Sequence, residues 1–364
     1  MQKRRKIVVK VGTKVLTSKE RSLDKERLKD IVRQISDIKD KGIDALLVTS
    51  GAIGAGLWLM GMKKRPADLS RLQAAAAIGQ NHLMHLYSES FKERGYLAGQ
   101  VLLTQEDFND RERYLNIKHT VNALLEHDVV PIINENDTVA TEEIRCGDND
   151  RLSCLVADLC QAEKLILLTD VDGLLDESGN VIGFVSEVTQ KIMRLGGRSH
   201  CDLGTGGMAT KIDAARAATK AGIDCVIANG RAKDVLCRIA INGEAVGTVF
   251  ESGKKAFVAK KRWIAFSSRP KGVISVDDGA RAALAEKDKS LLASGIAGVE
   301  GSFASGDVVS IAGRDGAEFA RGVANYSSGE ISKIKGLKTS GYKAALGYKG
   351  RDEVVHKDNL AILK

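Results

Sequence analysis

The chain has 364 residues, of which 43% are hydrophobic and 28% charged, with a formal net charge of +8. Such a balance describes a chain that buries a sizeable core in two or more domains, and it excludes a disordered polyelectrolyte. From Lys271 onward there are 14 basic and 12 acidic residues, so neither part is strongly basic, although Lys3–Lys6 and Lys254–Arg262 form local basic clusters that suit terminal or linker solvation better than phosphate contact. The six cysteines form no CxxC pair and no His spacing typical of zinc, which reads as reduced thiols in a cytoplasm. The basic start MQKRRK is followed by an apolar run broken at Lys10, unlike a signal peptide. No stretch approaches about 18 uninterrupted apolar residues, the length a membrane span needs.

Lys6–Val11 (KIVVKV) reads as a first buried strand that turns at Gly12. Lys10 interrupts it. A lysine there either carries its ammonium to an anion beside the strand end or extends to solvent. From Asp24 to Lys41, Leu28, Ile31, Val32, Ile35 and Ile38 mark one face of a helix closed by Gly42. A strand, DALLVTS, then runs into SGAIGAG (Ser50–Gly56). Its glycines would let backbone amides approach a bound anion, with Ser50 adding a hydroxyl. The spacing GxxGxG reverses the dinucleotide order, which argues against a Rossmann site.

Residues 69–94 read as a helix in which Ala74–Ala77 allow close packing, and His82 and His85 suit surface or packing roles better than metal ligation. A strand at Val101–Thr104 and a helix at Glu112–His127 follow. The apolar run Val129–Asn134 is the next strand, and it opens into a polar loop, NENDTVATEEIRCGDND, before a helix carrying Leu152, Leu155, Val156 and Leu159. Asn134, Asp137, Asp148, Asn149 and Asp150 therefore cluster where ligands bind in open α/β sheets, outside the carboxyl ends of the strands. Carboxylates for an ammonium and amides for a carboxylate suit a small zwitterion, although the same residue types make good turns and caps.

Lys164–Thr169 is another buried strand, ending at Thr169 and Asp170. The glycine-rich stretch GTGGMATK (Gly204–Lys211) precedes a helical pattern of Ile212, Ala215, Ala218 and Ala221. Backbone N–H groups at a helix start seat phosphate well, and Thr205, Thr210 and Lys211 add polar reach, although Walker A is absent. A last strand spans Asp224–Gly230. The alternation predicts an α/β fold with a mainly parallel sheet sandwiched by helices. Pro270 marks a boundary, beyond which short β-like runs and glycine turns predict a small β-rich domain. The expected organisation is a first domain over 1–253, a linker over 254–270 and a second domain over 271–364.

The ordered set VVKVGT, VTSGAI, LLT…DRERYLN, INENDTVAT, GDNDRLS, LLTDVDGL, GTGGMATK and KRWI, with the tail GVISVDDGA…SFASGDVVSI, resembles the bacterial glutamate 5-kinases, an amino acid kinase domain followed by a PUA domain. The resemblance implies transfer of the ATP γ-phosphoryl group to the side-chain carboxylate of L-glutamate, opening proline synthesis in the cytoplasm. It implies that Lys10 and Lys211 flank the moving phosphoryl group, with Asp150 positioning them. Ser50, Asn134, Asp137, Asp148 and Asn149 would serve glutamate. Lys10, Thr169, Asp170, Thr205, Gly206, Gly207, Met208, Ala209, Thr210 and Lys211 would serve ATP. It further implies Mg²⁺ carried with ATP and no assigned protein ligand, a homo-oligomer (dimer or tetramer), proline as feedback inhibitor, and no membrane association. After TDVDGL the chain reads LDESGN, shorter than the family pattern. The competing readings are a kinase for another acidic amino acid, and an RNA-binding protein acting through the PUA-like domain.

Overall fold

Lys6–Val11 (β1) lies at the middle of an eight-stranded sheet, paired in parallel with Asp44–Val48 (β2) on one side and Lys164–Thr169 (β5) on the other. The computed structural model describes residues 4–18, 22–62, 64–139, 149–197, 207–253, 261, 263–267, 269–287, 289–348 and 350–363. Two compact units, Met1–Ala256 and Phe257–Lys364, divide the chain. In the first, the remaining strands are Ala98–Leu103 (β3), Val130–Glu135 (β4), Phe184–Val185 (β6), Asp224–Asn229 (β7) and Thr248–Phe250 (β8). Their order is β3-β4-β2-β1-β5-β7-β8-β6, with every pair parallel except β7 and β8. Strands covered on both faces need apolar side chains on both, which is why Ile7–Val9, Ala45–Val48 and Leu165–Leu168 are continuously buried. The mainly parallel sheet expected from the sequence is thus the architecture observed.

Among the helices, Lys25–Asp40 (α1) is capped by Asp24, whose carboxylate accepts from the Arg27 N–H at 3.0 Å. Its Leu28, Ile31, Val32, Ile35 and Ile38 enter the core cluster with β1 and β2. Leu69–Glu93 (α3) and Arg111–Glu126 (α4) fall where the periodicity puts them. The glycine-rich stretch after β2, read from the sequence as offering backbone amides to an anion, enters a helix. Ala52–Leu59 is a helix (α2) entered through Gly51 at φ +100°. A Cβ on Gly56 would lie 1.7 Å from the Ala75 carbonyl oxygen, and one on Gly79 1.8 Å from that of Ala52. These glycines therefore serve backbone-to-backbone packing of α2 on α3, which outweighs their low helix propensity.

Asn149–Cys160 (α5) and Met208–Lys220 (α6) pack together beside β1 and β7, and Val235–Ala240 (α7) packs on α1. Because β1, β2, β4 and β5 run the same way, Gly12, Thr49, Ser50, Asn134 and Thr169 all emerge at one sheet edge.

The second unit is β-rich, as expected. Its sheet has the order β10-β9-β11-β12-β13, formed by Gly272–Val276 (β9), Ile296–Gly301 (β10), Val308–Ala312 (β11), Glu318–Val323 (β12) and Leu360–Ile362 (β13). Ile274, Val309, Ile311, Tyr326, Ile331 and Val355 share its core.

Candidate active site

Lys10 sits one residue before the end of β1, opposite Val48 and Leu167 in the ladder, and is only 4% exposed. Its ammonium does not reach for solvent. Nζ lies 2.7 Å from Oδ1 of Asp150, in the first turn of α5. The other carboxylate oxygen, Oδ2, receives Nζ of Lys211 at 3.1 Å and the Thr210 hydroxyl at 2.8 Å. That hydroxyl also reaches the Gly207 carbonyl at 2.8 Å, which ties the group to the first turn of α6. Asp150 is fully buried, so both ion pairs act in a medium that weakens charge interactions less than water. Burial raises its carboxyl pKa, but the Lys10 ammonium and then that of Lys211 outweigh burial and hold it at about 2. Burial lowers the Lys211 pKa; Asp150 opposes the shift and Lys10 adds to it. Two ammonium groups converge on one carboxylate, with Asp170 also favouring the charge of Lys211, an arrangement suited to meet an anion.

A set of carboxamides lies beside this cluster. Asn149 Nδ2 donates to the Thr49 carbonyl at 2.8 Å, to Ser50 Oγ at 2.9 Å and to Asn134 Oδ1 at 3.0 Å. Asn134 Oδ1 also accepts from the Glu135 backbone N–H at 2.9 Å, and Asn134 Nδ2 donates to Gln80 Oε1 at 2.8 Å. Beneath them Thr49 Oγ1 and the buried Tyr87 hydroxyl are 3.0 Å apart. Burial raises the Asp137 carboxyl to about 6, with Arg65 partly opposing the shift.

On the β5 side, Thr169 Oγ1 donates to Asp170 Oδ1 at 3.2 Å, and Lys14 pairs with Asp170 Oδ2 at 3.1 Å. Partial burial pulls the Asp170 carboxyl up, but the Lys14 hydrogen bond and neighbouring donors leave it below its ordinary value. Gly207 is the N-cap of α6, and Met208 and Ala209 begin that helix.

The fold thus brings Lys10, Lys211, Asp150 and Thr210 into one contact group, and Ser50, Asn134 and Asn149 into another. Asp148, Thr205 and Gly206 lie outside the described residues. Sequence reasoning missed Thr49, Lys14 and Gln80. Lys14 follows the strand closely enough for its position to have drawn notice, whereas Gln80, inside a long helix, gives no signal. Among the described residues no group of three or more His, Cys, Asp or Glu side chains is arranged to hold a metal ion.

Residues 5–229 match the amino acid kinase family, and residues 272–346 match the PUA domain. A curated glutamate 5-kinase from Caldanaerobacter subterraneus subsp. tengcongensis is 47% identical over 365 residues, covering 99% of this chain and 98% of that protein. The glutamate 5-kinase of Moorella thermoacetica is also 47% identical, covering 99% and 96% respectively. That of Geobacter sulfurreducens is 43% identical over 369 residues, covering 100% and 99%. Similarity that runs unbroken through both units leaves one assignment: the chain belongs to the amino acid kinase family, in the PUA-bearing branch of the glutamate 5-kinases.

Proposed function

We propose that this chain transfers the γ-phosphoryl group of ATP to the side-chain carboxylate of L-glutamate, giving L-glutamyl 5-phosphate and ADP. The observation that carries the reading is the convergence of Lys10 and Lys211 on the buried carboxylate of Asp150 at the sheet edge. Relatives named glutamate 5-kinase along their whole length favour it over another acidic amino acid or an RNA.

A glutamate carboxylate oxygen forms the new bond to phosphorus as the bond to the β-phosphate bridging oxygen breaks, and the electron pair leaves with ADP. The carboxylate is already ionised and needs no general base. Phosphoryl transfer asks the protein chiefly for alignment and charge stabilisation. Lys10 and Lys211 meet the negative charge of the transferring group, while Asp150 keeps both ammonium groups in place. Ser50, Asn134, Asp137, Asp148 and Asn149 grip glutamate. Thr169, Asp170 and residues 205–211 hold the nucleotide. The Lys10 and Lys211 ammonium groups occupy the Asp150 carboxylate and leave it unsuited to holding a metal; Mg²⁺ arriving with ATP would supply charge screening.

The deciding experiment measures ADP release with ATP and Mg²⁺, adding glutamate, aspartate or N-acetylglutamate in turn, with hydroxylamine present to trap an acyl phosphate. Hydroxamate formed from glutamate alone supports the reading. ADP release indifferent to glutamate rejects it.

Asp137 offers a pH test. If it pairs with the substrate ammonium, protonation below about pH 6 removes that partner, so KM for glutamate rises as pH falls. The expected increase is roughly fourfold between about pH 7.5 and about pH 5.5. A flat profile would separate Asp137 from the ammonium.

Self-association belongs to the same proposal. Trp58, Leu59 and Met60 at the end of α2, with Ile78 on α3, are large apolar side chains left 42–47% exposed, which supports burial against another copy. Inhibition by proline is proposed on the family resemblance, because a pocket for one zwitterionic amino acid suits another. A cytoplasmic location is proposed on the family resemblance; among the described residues no helix is long and apolar enough to cross a membrane.

A further inference from the structure

The amides beside the lysine cluster form a chain with a fixed direction. The Glu135 backbone N–H can only donate, so the Asn134 atom 2.9 Å from it is the carbonyl oxygen, and Asn134 Nδ2 must face the other way. There it meets Gln80 Oε1 at 2.8 Å, an acceptor supplied by α3. At the other end the Thr49 carbonyl can only accept, so the Asn149 atom 2.8 Å from it is the nitrogen. That nitrogen also donates to Asn134 Oδ1 at 3.0 Å. Backbone groups thus fix the order from Asn149 through Asn134 to Gln80. Two atoms are left over. Asn149 Oδ1 and Gln80 Nε2 are buried with no hydrogen-bond partner among the described residues, a costly state for both.

We infer that Gln80 is a positioning residue of the amino-acid site: its Oε1 holds Asn134, and through Asn134 sets the orientation of the Asn149 carboxamide. The inference rests on the proposed glutamate kinase activity. Gln80 is supported from below, because the glycine before it brings α3 against the backbone of α2, which leads back through Gly51 to Ser50. Without an acceptor at position 80, Asn134 Nδ2 would be buried and unsatisfied. Rotating the Asn134 amide to relieve this would turn its NH₂ group onto the Glu135 N–H and the Asn149 NH₂, setting donor against donor. The Asn149 carboxamide would then shift, and with it the carbonyl oxygen that is free to accept from a substrate ammonium. None of the described nucleotide-side residues takes part in this chain of bonds, so an effect confined to the amino acid is its signature.

Gln80→Met keeps the length of the side chain and removes the acceptor. Steady-state kinetics on the full chain should show KM for glutamate raised roughly 10- to 100-fold, the range expected when a buried hydrogen bond is left unmade. The kcat and the KM for ATP should stay within about twofold, and the melting temperature should fall by no more than about 4 °C, the modest cost of one lost hydrogen bond in a chain this long. Because Gln80 is argued to act through Asn134, Gln80→Met added to Asn134→Ala should cost little beyond Asn134→Ala alone. An unchanged KM for glutamate in Gln80→Met overturns the inference. So does full additivity with Asn134→Ala, and so does a joint fall in kcat, ATP affinity and melting temperature, which is the mark of a merely structural role. A wild-type enzyme that releases no ADP with glutamate overturns the proposed function, and this inference falls with it.

Discussion

Lys211→Ala is expected to slow turnover roughly 10²–10³-fold, the usual consequence of removing one preorganised electrostatic donor from a transition state. The geometry says more than the magnitude. Lys211 shares Asp150 with Lys10, so its loss leaves the carboxylate still paired at 2.7 Å and removes one of two buried ammonium groups that repel each other. Folding stability should therefore be little changed or slightly higher, while kcat collapses. Lys211→Arg should recover little, because a planar fork differs in shape from a compact ammonium. Single-turnover and steady-state assays, with a thermal melt of each variant, separate these effects. Turnover within threefold of wild type in Lys211→Ala would remove this lysine from the chemistry.

Asp150→Ala is expected to behave in the opposite way, losing stability and activity together. Both ammonium groups would be left buried and close to one another without the carboxylate on which they now converge. Breaking a buried ion pair by deleting one partner costs about 3–5 kcal/mol, and here one deletion breaks two pairs. Turnover should fall roughly 10³-fold, since neither lysine would keep its alignment. Added ATP should raise the melting temperature of the variant more than that of wild type, because its phosphates supply the missing negative charge. The pH dependence has a definite sign. The folded carboxyl titrates at about 2, below its ordinary value of 3.8. Its contribution is therefore complete above the ordinary value and is lost as pH falls toward about 2, where wild type and variant should converge. A melting curve for Asp150→Ala that overlays wild type near neutral pH would show that the cluster does not stabilise the fold.

Lys10 was legible in the sequence because a charge inside a β-branched strand is expensive enough to need a partner, and the partner proves to be Asp150. The parallel sheet was legible for a related reason, since strands buried on both faces leave long apolar runs such as Lys164–Thr169. Ala52–Leu59 was not. Three glycines within six residues disfavour a helix locally, and the close approach of Gly56 to the Ala75 backbone lies outside what local sequence shows. Gln80 was hidden for a different reason. Its partner Asn134 lies 54 residues away along the chain, and no pattern within one helix reveals a hydrogen bond to a distant strand.

The close crossing of α2 and α3 bears on how the site meets its acceptor substrate. With Gly56 and Gly79 set carbonyl against backbone, neither helix has slack to slide or tilt independently. Ser50 and Gln80 therefore inherit their separation from main-chain geometry rather than from side chains settling around a guest. The entropy of arranging that wall is lost when the polypeptide folds, before any amino acid arrives, and less remains to be lost in each catalytic cycle.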